Sequence, residues 1–264
     1  MALVRDGMTR SNNCMGRPLV SVVTVCRNAD ATIGAAVQSV ARQDWPLIDH
    51  VIVDGASSDR TLEEIERHSL PGARVISEPD AGIYDAMNKG LALVRGDIVC
   101  FLNADDRYVR PDVLTNVVTA MGATENVAVM GDVGFERAER RGHVIRRYRS
   151  RRFSPDRLAW GWMPAHPGCF LSRDIVERVG RFDASFKIAG DYEYLVRVFR
   201  KGGVRQVFLD EMLVYMTHGG VSTGGLRAAF RLNKEVIRAC RQNRVYTNWA
   251  MVLTKYPLKF RDCW

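Results

Sequence analysis

The run Asp97-Ile98-Val99-Cys100-Phe101-Leu102-Asn103-Ala104-Asp105-Asp106 has the length of a strand, is apolar along its body and breaks off in carboxylates. Five consecutive apolar residues, Ile98 to Leu102, fit a strand buried on both faces, as inside a parallel α/β sheet, rather than one with a wet side. In open α/β sheets ligands gather at the carboxyl ends of the strands, which puts Asn103, Asp105 and Asp106 at the rim of a crevice. Neighbouring carboxylates repel each other unless a cation lies beside them. The plainer reading is that Asp105 or Asp106 caps the helix starting near Pro111, or holds a turn.

Upstream, the same unit repeats. Leu19 to Val25 reads as a first buried strand, followed by the turn Arg27-Asn28-Ala29-Asp30 and a helix over about 31–42. Neither G-x-G-x-x-G after that strand nor G-x-x-x-x-G-K-[ST] anywhere is present, which disfavours dinucleotide oxidoreductases and P-loop NTPases. A second strand, Val51-Ile52-Val53, ends at Asp54, where a carboxylate can accept from a base N–H or a ribose hydroxyl; Asp59 reads as the cap of the next helix. The third unit runs from Ala73 to Ser77 and leads into Glu78 to Gly90. There Ile83, Met87, Leu91 and Val94 recur at helical spacing, while Asp80, Tyr84 and Asn88 gather polar and aromatic groups at the helix start. Asp85 and Lys89, four apart, form a surface pair in the simplest reading.

Downstream of the strand Val127 to Met130 the pattern changes. Asp132 to Glu136 and His143 to Arg147 read as a hairpin around Arg141-Gly142, and residues 153 to 163 are rich in aromatics. Mixed parallel and antiparallel signals predict a second, smaller sheet built onto the first. Ser172 opens a helix to Val179, and Ala189-Gly190-Asp191-Tyr192-Glu193 starts another through Lys201. Two strands follow, Val204 to Leu209 and Met212 to Met216. The span from Thr217 to Gly225 holds four glycines and reads as a mobile loop. From Leu226 the chain is helical again, with Phe230, Val236, Ile237 and Cys240 among arginines and lysines. Trp249 to Leu253 with Lys255, Lys259 and Arg261 is basic and amphipathic, fit either to lie on an anionic membrane or to pack on the body.

With 264 residues the chain is long enough for one α/β core with additions. The first seventeen residues lack an apolar signal-like region and no run reaches membrane-spanning length, so a cytoplasmic protein with a disordered leader over 1–17 is expected. Six cysteines without C-x-x-C spacing fit reduced, mostly buried thiols. The net charge of +8 is unevenly placed: residues 137–152 carry eight arginines against Glu139, and residues 227–261 nine basic residues against Glu235, on a body that is net acidic. Such patches point to phosphates, either of a membrane leaflet or of a nucleic acid, although solvated faces explain most charge clusters.

In order and spacing, Ser21 to Asn28, Val53 to Thr61, Asp80 to Gly90, Leu102 to Asp106 and Gly190-Asp191-Tyr192 together resemble glycosyltransferase family 2, as found among bacterial polysaccharide and glycolipid transferases. The likeness covers about residues 18–225 and implies a GT-A fold: a Rossmann-like, mostly parallel sheet with a small antiparallel sheet and C-terminal helices, 226–264 being a basic helical extension. It implies an inverting, metal-dependent hexosyltransferase-type reaction, from a UDP, GDP or dTDP sugar to a lipid-linked, glycolipid or polysaccharide hydroxyl, at the inner face of the cytoplasmic membrane. Asp191 then matches the general base, with Glu193 as the competitor. Asn28, Asp54, Asp80, Tyr84, Asn88 and Lys89 fall on the donor side. The family's D-x-D reads Asn103-Ala104-Asp105 here, so Asp105 would carry the Mn²⁺ or Mg²⁺, with Asn103 serving ribose or a metal-bound water and Asp106 the sugar or the ion. His218 would add a metal ligand or phosphate contact, and His166 would touch acceptor or donor or be structural. The competing class is a basic module that binds nucleic acid or a membrane surface through the arginines at 137–152, without transferase activity; the strand-end carboxylates argue against a phosphate-polymer groove.

Overall fold

The computed structural model describes residues 16–122, 125–137, 140–200, 203–217 and 225–256. Hydrophobic alternation upstream of the carboxylate rim becomes three strand–helix units: β1 (Val20–Cys26), α1 (Ile33–Ala41), β2 (Ile48–Asp54), α2 (Thr61–His68), β3 (Arg74–Ser77) and α3 (Ile83–Leu91). Next come β4 (Ile98–Phe101), β5 (Asp106–Tyr108), α4 (Val113–Met121), β6 (Val127–Arg137), β7 (Arg140–Tyr148), β8 (Cys169–Ser172), α5 (Arg173–Val179), α6 (Gly190–Arg200), β9 (Arg205–Thr217), α7 (Gly225–Gln242) and α8 (Trp249–Leu253).

The nine strands hydrogen-bond in the order β3-β2-β1-β4-β8-β6-β9-β5, with β7 on the side of β6. β3, β2, β1 and β4 are parallel, and so are β6 and β9. β8, β5 and β7 run against their neighbours and supply the antiparallel part, which is continuous with the parallel one through the β4–β8 pairing. Val20 to Cys26 and Ile98 to Phe101 are buried throughout, as expected for strands covered on both faces. One face packs on α3, α5, α6 and α7, through residues such as Val23, Phe101, Met130 and Ile237. The other packs on α4, through Val20, Leu102, Val129 and Leu114.

Two local expectations are corrected. The strands expected at 204–209 and 212–216 are one strand, β9, whose register against β6 slips on both sides of Asp132, so Gly131 faces Leu209 while Asp132 faces Met212. The extra residues, Asp210 and Glu211, form a bulge that reads as a break when only local polarity is seen. The hairpin likewise reverses between Arg137 and Arg140 rather than at Arg141-Gly142; Gly142, with φ 85°, bends β7 and donates its N–H to Glu136 at 2.6 Å. Cys26, Cys100, Cys169 and Cys240 are free and buried, whereas Cys14 and Cys263 lie outside the described residues.

Candidate active site

β4 delivers its chain end into the crevice. Leu102 N–H still bonds Val23 O at 2.9 Å; the chain then turns, Asp106 N–H donating to Asn103 O at 3.1 Å, and returns as β5. Asp106 is 1% exposed and Asp105 exposed. The Asn103 amide donates to Asp106 Oδ2 at 3.3 Å, but Asn103 Oδ1 and Asp106 Oδ1 are buried without a hydrogen-bond partner. Burial, and then the charge of Asp105, push the Asp106 carboxyl well above the usual carboxylate range. Unpartnered buried acceptors are costly, and oxygens beside an exposed carboxylate are the donor chemistry that a hard divalent cation takes. Among the described residues no group of three or more His, Cys, Asp or Glu stands together as a metal site, so an ion here would lean on the Asn103 amide oxygen. His218, the other expected ligand, lies outside the described residues.

A second group lies at the ends of β1 and β2, which pair as far as Cys26 opposite Asp54. Asp54 is fully buried and accepts from Ser57 N–H at 3.0 Å, the Ser57 hydroxyl, the Ser77 hydroxyl at 2.7 Å and the Cys26 thiol at 3.7 Å. Burial works against its charge, yet the Ser57 and Ser77 donors outweigh it and hold the carboxyl below its ordinary value. Asn28 adopts φ 48°, donates its N–H to Ser57 Oγ at 2.8 Å and accepts Ser58 N–H at 2.9 Å, which ties the two strand ends together. Asp80 accepts Gly82 N–H at 2.8 Å and crowds Gly55, where a Cβ would come within 2.2 Å of Asp80 Oδ2. Lys89 reaches back over this loop, bonding Pro79 O at 2.7 Å and pairing with Glu78 at 2.8 Å more closely than with Asp85 at 3.9 Å.

The third group is built around the start of α6. Asp191 sits in its first turn, partly open to solvent, and its Oδ1 accepts Tyr192 N–H at 2.8 Å. The Tyr84 hydroxyl donates to Ile188 O at 2.6 Å and stands 3.4 Å from the same Asp191 oxygen. Glycine at 190 permits this contact, because a Cβ there would meet the Tyr84 ring at 2.7 Å. Desolvation by the packed protein raises the Asp191 carboxyl to about 6, the Tyr192 and Tyr84 donors resisting and the Glu235 charge adding. Asn88 holds the Phe182 backbone at both ends, at 2.9 and 2.8 Å. His166 stacks on Phe101 with ring centroids 5.1 Å apart, and burial lowers it to about 4, which leaves a neutral imidazole. Glu193 is turned into the body, paired with Arg197 at 2.8 Å and bonded by Asn243 at 3.1 Å.

Sequence reading missed Glu235. From α7 its carboxylate accepts the N–H groups of Lys187 at 3.1 Å and of Ile188 and Ala189 at 2.9 Å, the three residues that lead into Gly190 and Asp191. Its only signal is that it is the one acid among nine cations between 227 and 261.

Residues 21–180 match the family model described as Glycosyl transferase family 2. An uncharacterized glycosyltransferase of Mycobacterium tuberculosis is 32% identical over 185 residues, 68% of each chain. A PGL/p-HBAD biosynthesis glycosyltransferase of Mycobacterium bovis is 29% identical over 214 residues, 79% of this chain and 80% of the relative. Of solved structures, Staphylococcus aureus TarS 1–349 in complex with UDP-GlcNAc is similar with a TM-score of 0.65 at 17% identity, over 84% of this chain and 66% of that one. A mannosyltransferase from Pyrobaculum calidifontis in complex with GDP-Man and Mn²⁺ has a TM-score of 0.62 at 21% identity, over 90% and 67%.

Proposed function

The chain belongs to glycosyltransferase family 2, and from that premise we propose that it is an inverting enzyme in which Asp191 draws the proton from an acceptor hydroxyl. The hydroxyl oxygen then attacks the anomeric carbon from the face opposite the nucleotide, the bond to the diphosphate breaks, and the diphosphate leaves with the electron pair. The observation that carries this is a carboxylate at the first turn of α6, open to solvent on one side and raised to about 6, where a base is both ionised at neutral pH and strong enough to accept a proton. Glu193 is already neutralised by Arg197, which favours Asp191 over it.

The donor is a UDP, GDP or dTDP sugar, a reading whose first two members are supported by the similar structures in complex with UDP-GlcNAc and with GDP-Man. Asn28 and Asp80 face it from the loops after β1 and β3, Lys89 from α3, and Asp54 acts through the Ser57 loop it holds. Tyr84 and Asn88 set the α6 side, and His166 offers a neutral wall toward donor or acceptor. Asp105, with Asn103 and Asp106, would hold Mn²⁺ or Mg²⁺; when bound, the ion neutralises charge growing on the departing diphosphate. The acceptor is a lipid-linked, glycolipid or polysaccharide hydroxyl, and the enzyme works in the cytoplasm. The nucleic-acid reading is not favoured: Arg147 and Arg151 pair with Asp132 and Asp210 at 2.8 and 2.9 Å, so part of the basic insertion is internally neutralised.

Thermal unfolding against UDP, GDP and dTDP, each with and without Mn²⁺, tests the donor reading. A nucleotide at a hundredfold excess over its Kd adds about 2.7 kcal/mol. One nucleotide should give a metal-dependent rise in Tm that Asp105→Ala abolishes; no rise with any of them would overturn the donor site.

A further inference from the structure

Nine large hydrophobic side chains are exposed among the described residues, and four of them fall on α7, α8 and their connection: Phe230 at 61%, Tyr246 at 79%, Trp249 at 40% and Leu253 at 46%. They are not scattered. Phe230 and Trp249 stack with ring centroids 5.4 Å apart and planes 15° from parallel, and Leu253 lies one turn beyond Trp249 on α8. The helices are anchored from behind, since Val236, Ile237, Cys240 and Val252 are buried and Asn248 caps α8 by accepting Met251 N–H at 2.9 Å. The aromatic pair is therefore held out toward solvent by elements that have already buried their own apolar face.

Charge on the same surface is mostly positive; within it Arg238 is paired with an acid, Asp183 at 3.6 Å. Arg227, Arg231, Lys234 and Arg241 recur at spacings that form a single stripe along α7, with Phe230 on its edge, and Arg244 continues it past the helix end. None of these five has an ion-pair partner among the described residues, and Glu235, the one acid of the segment, is turned inward onto the Lys187–Ala189 amides. Aromatic rings beside unpaired cations match an anionic lipid surface: rings settle at headgroup depth, cations meet lipid phosphates, and the aliphatic Leu253 adds apolar area that a polyanion would leave wet.

We propose that the outer face of α7 and α8 docks the protein on an anionic membrane, with Phe230, Trp249 and Leu253 entering the interface and the Arg227–Arg244 stripe lying on the headgroups. This does not rest on the transfer reaction. Among the described residues no helix is long and apolar enough to cross a membrane, and the contact proposed is a peripheral one.

Co-sedimentation of the full chain with vesicles tests it, comparing phosphatidylcholine alone with mixtures containing about a third phosphatidylglycerol. Binding should require the anionic lipid and weaken with salt. Phe230→Ala/Trp249→Ala and, separately, Arg231→Glu/Lys234→Glu should each lower it at least about tenfold, with the nucleotide-induced Tm rise unchanged in both and the basal Tm unchanged in the charge-reversal variant, since Arg231 and Lys234 are exposed. Failure of the wild type to bind, or undiminished binding by both variants, would overturn the proposal. So would sedimentation equilibrium showing a dimer that Phe230→Ala/Trp249→Ala dissolves, or duplex RNA binding as tightly as the vesicles. A lost nucleotide response in the wild type would instead count against the donor site.

Discussion

Asp191 is held in a compromise that can be measured from both sides. Its carboxyl is raised to about 6, so the folded protein prefers the protonated form more than the unfolded chain does. The stability this confers is complete at pH below about 4 and lost as the pH rises through 6, while the base role proposed for Asp191 needs the ionised form, which appears over the same interval. We expect kcat/KM to rise with an acid limb near 6. Asp191→Asn should lower turnover about 100-fold or more yet stabilise the fold at pH 7.5 by on the order of 1–2 kcal/mol, read as a higher Tm, an advantage absent at pH 4. Glu235 belongs to the same balance. Replacing it with Gln removes a negative charge that raises Asp191, so the acid limb should move to lower pH, and the loosened Lys187–Ala189 amides should reduce kcat. An acid limb that stays in place would show that Glu235 acts only as a structural support. Asp191 could be singled out from sequence because Gly190-Asp191-Tyr192 is a local motif that resembles the family's, and its place at a helix start set it ahead of Glu193. Glu235 could not, since its partners lie 46 to 48 residues away and no local period announces them.

At the level of elements, α3 and α6 meet at a point that tolerates no side chain. Gly190→Ala would place a Cβ 2.7 Å from the Tyr84 ring, and Tyr84 is buried, with its hydroxyl tied to Ile188 O. Overpacking of this kind costs about 1–3 kcal/mol. Here it should also turn the first turn of α6, so chemical denaturation is expected to show a lower midpoint and turnover to fall more than stability alone explains. The parallel β1–β4 units were legible because buried strands and amphipathic helices have different periods. β9 was not, because the bulge at Asp210 and Glu211 looks locally like the turn between two strands, and only pairing with β6 across the register slip shows one continuous element. Arg147 stabilises that irregular pairing, bonding Asp132 at 2.8 Å and the Asp210 carbonyl at 3.3 Å.

On the scale of the whole molecule, the chemistry of the crevice comes from two parts of the chain that differ in charge and in order. The residues proposed for the donor side, from Asn28 to Asp106, stand on the net acidic body, whereas the support for the proposed base comes from a segment where Glu235 is outnumbered by cations. The fold class was readable from the early strands; which face of α7 stays uncovered was not, since that depends on what α6 and the turn at Pro155–Trp160 leave exposed. A chain leaves the ribosome N-terminus first. A polypeptide reaching only to the end of β9 carries the strand ends and the carboxylate rim, but it lacks Glu235, the carboxylate that holds the Lys187–Ala189 amides, and the α7 residues Val236, Ile237 and Cys240 that complete the core. Glu235 and the cationic stripe stand on the same helix, so a chain cut short before α7 is expected to lose at one stroke the support of the proposed base and the proposed anchorage.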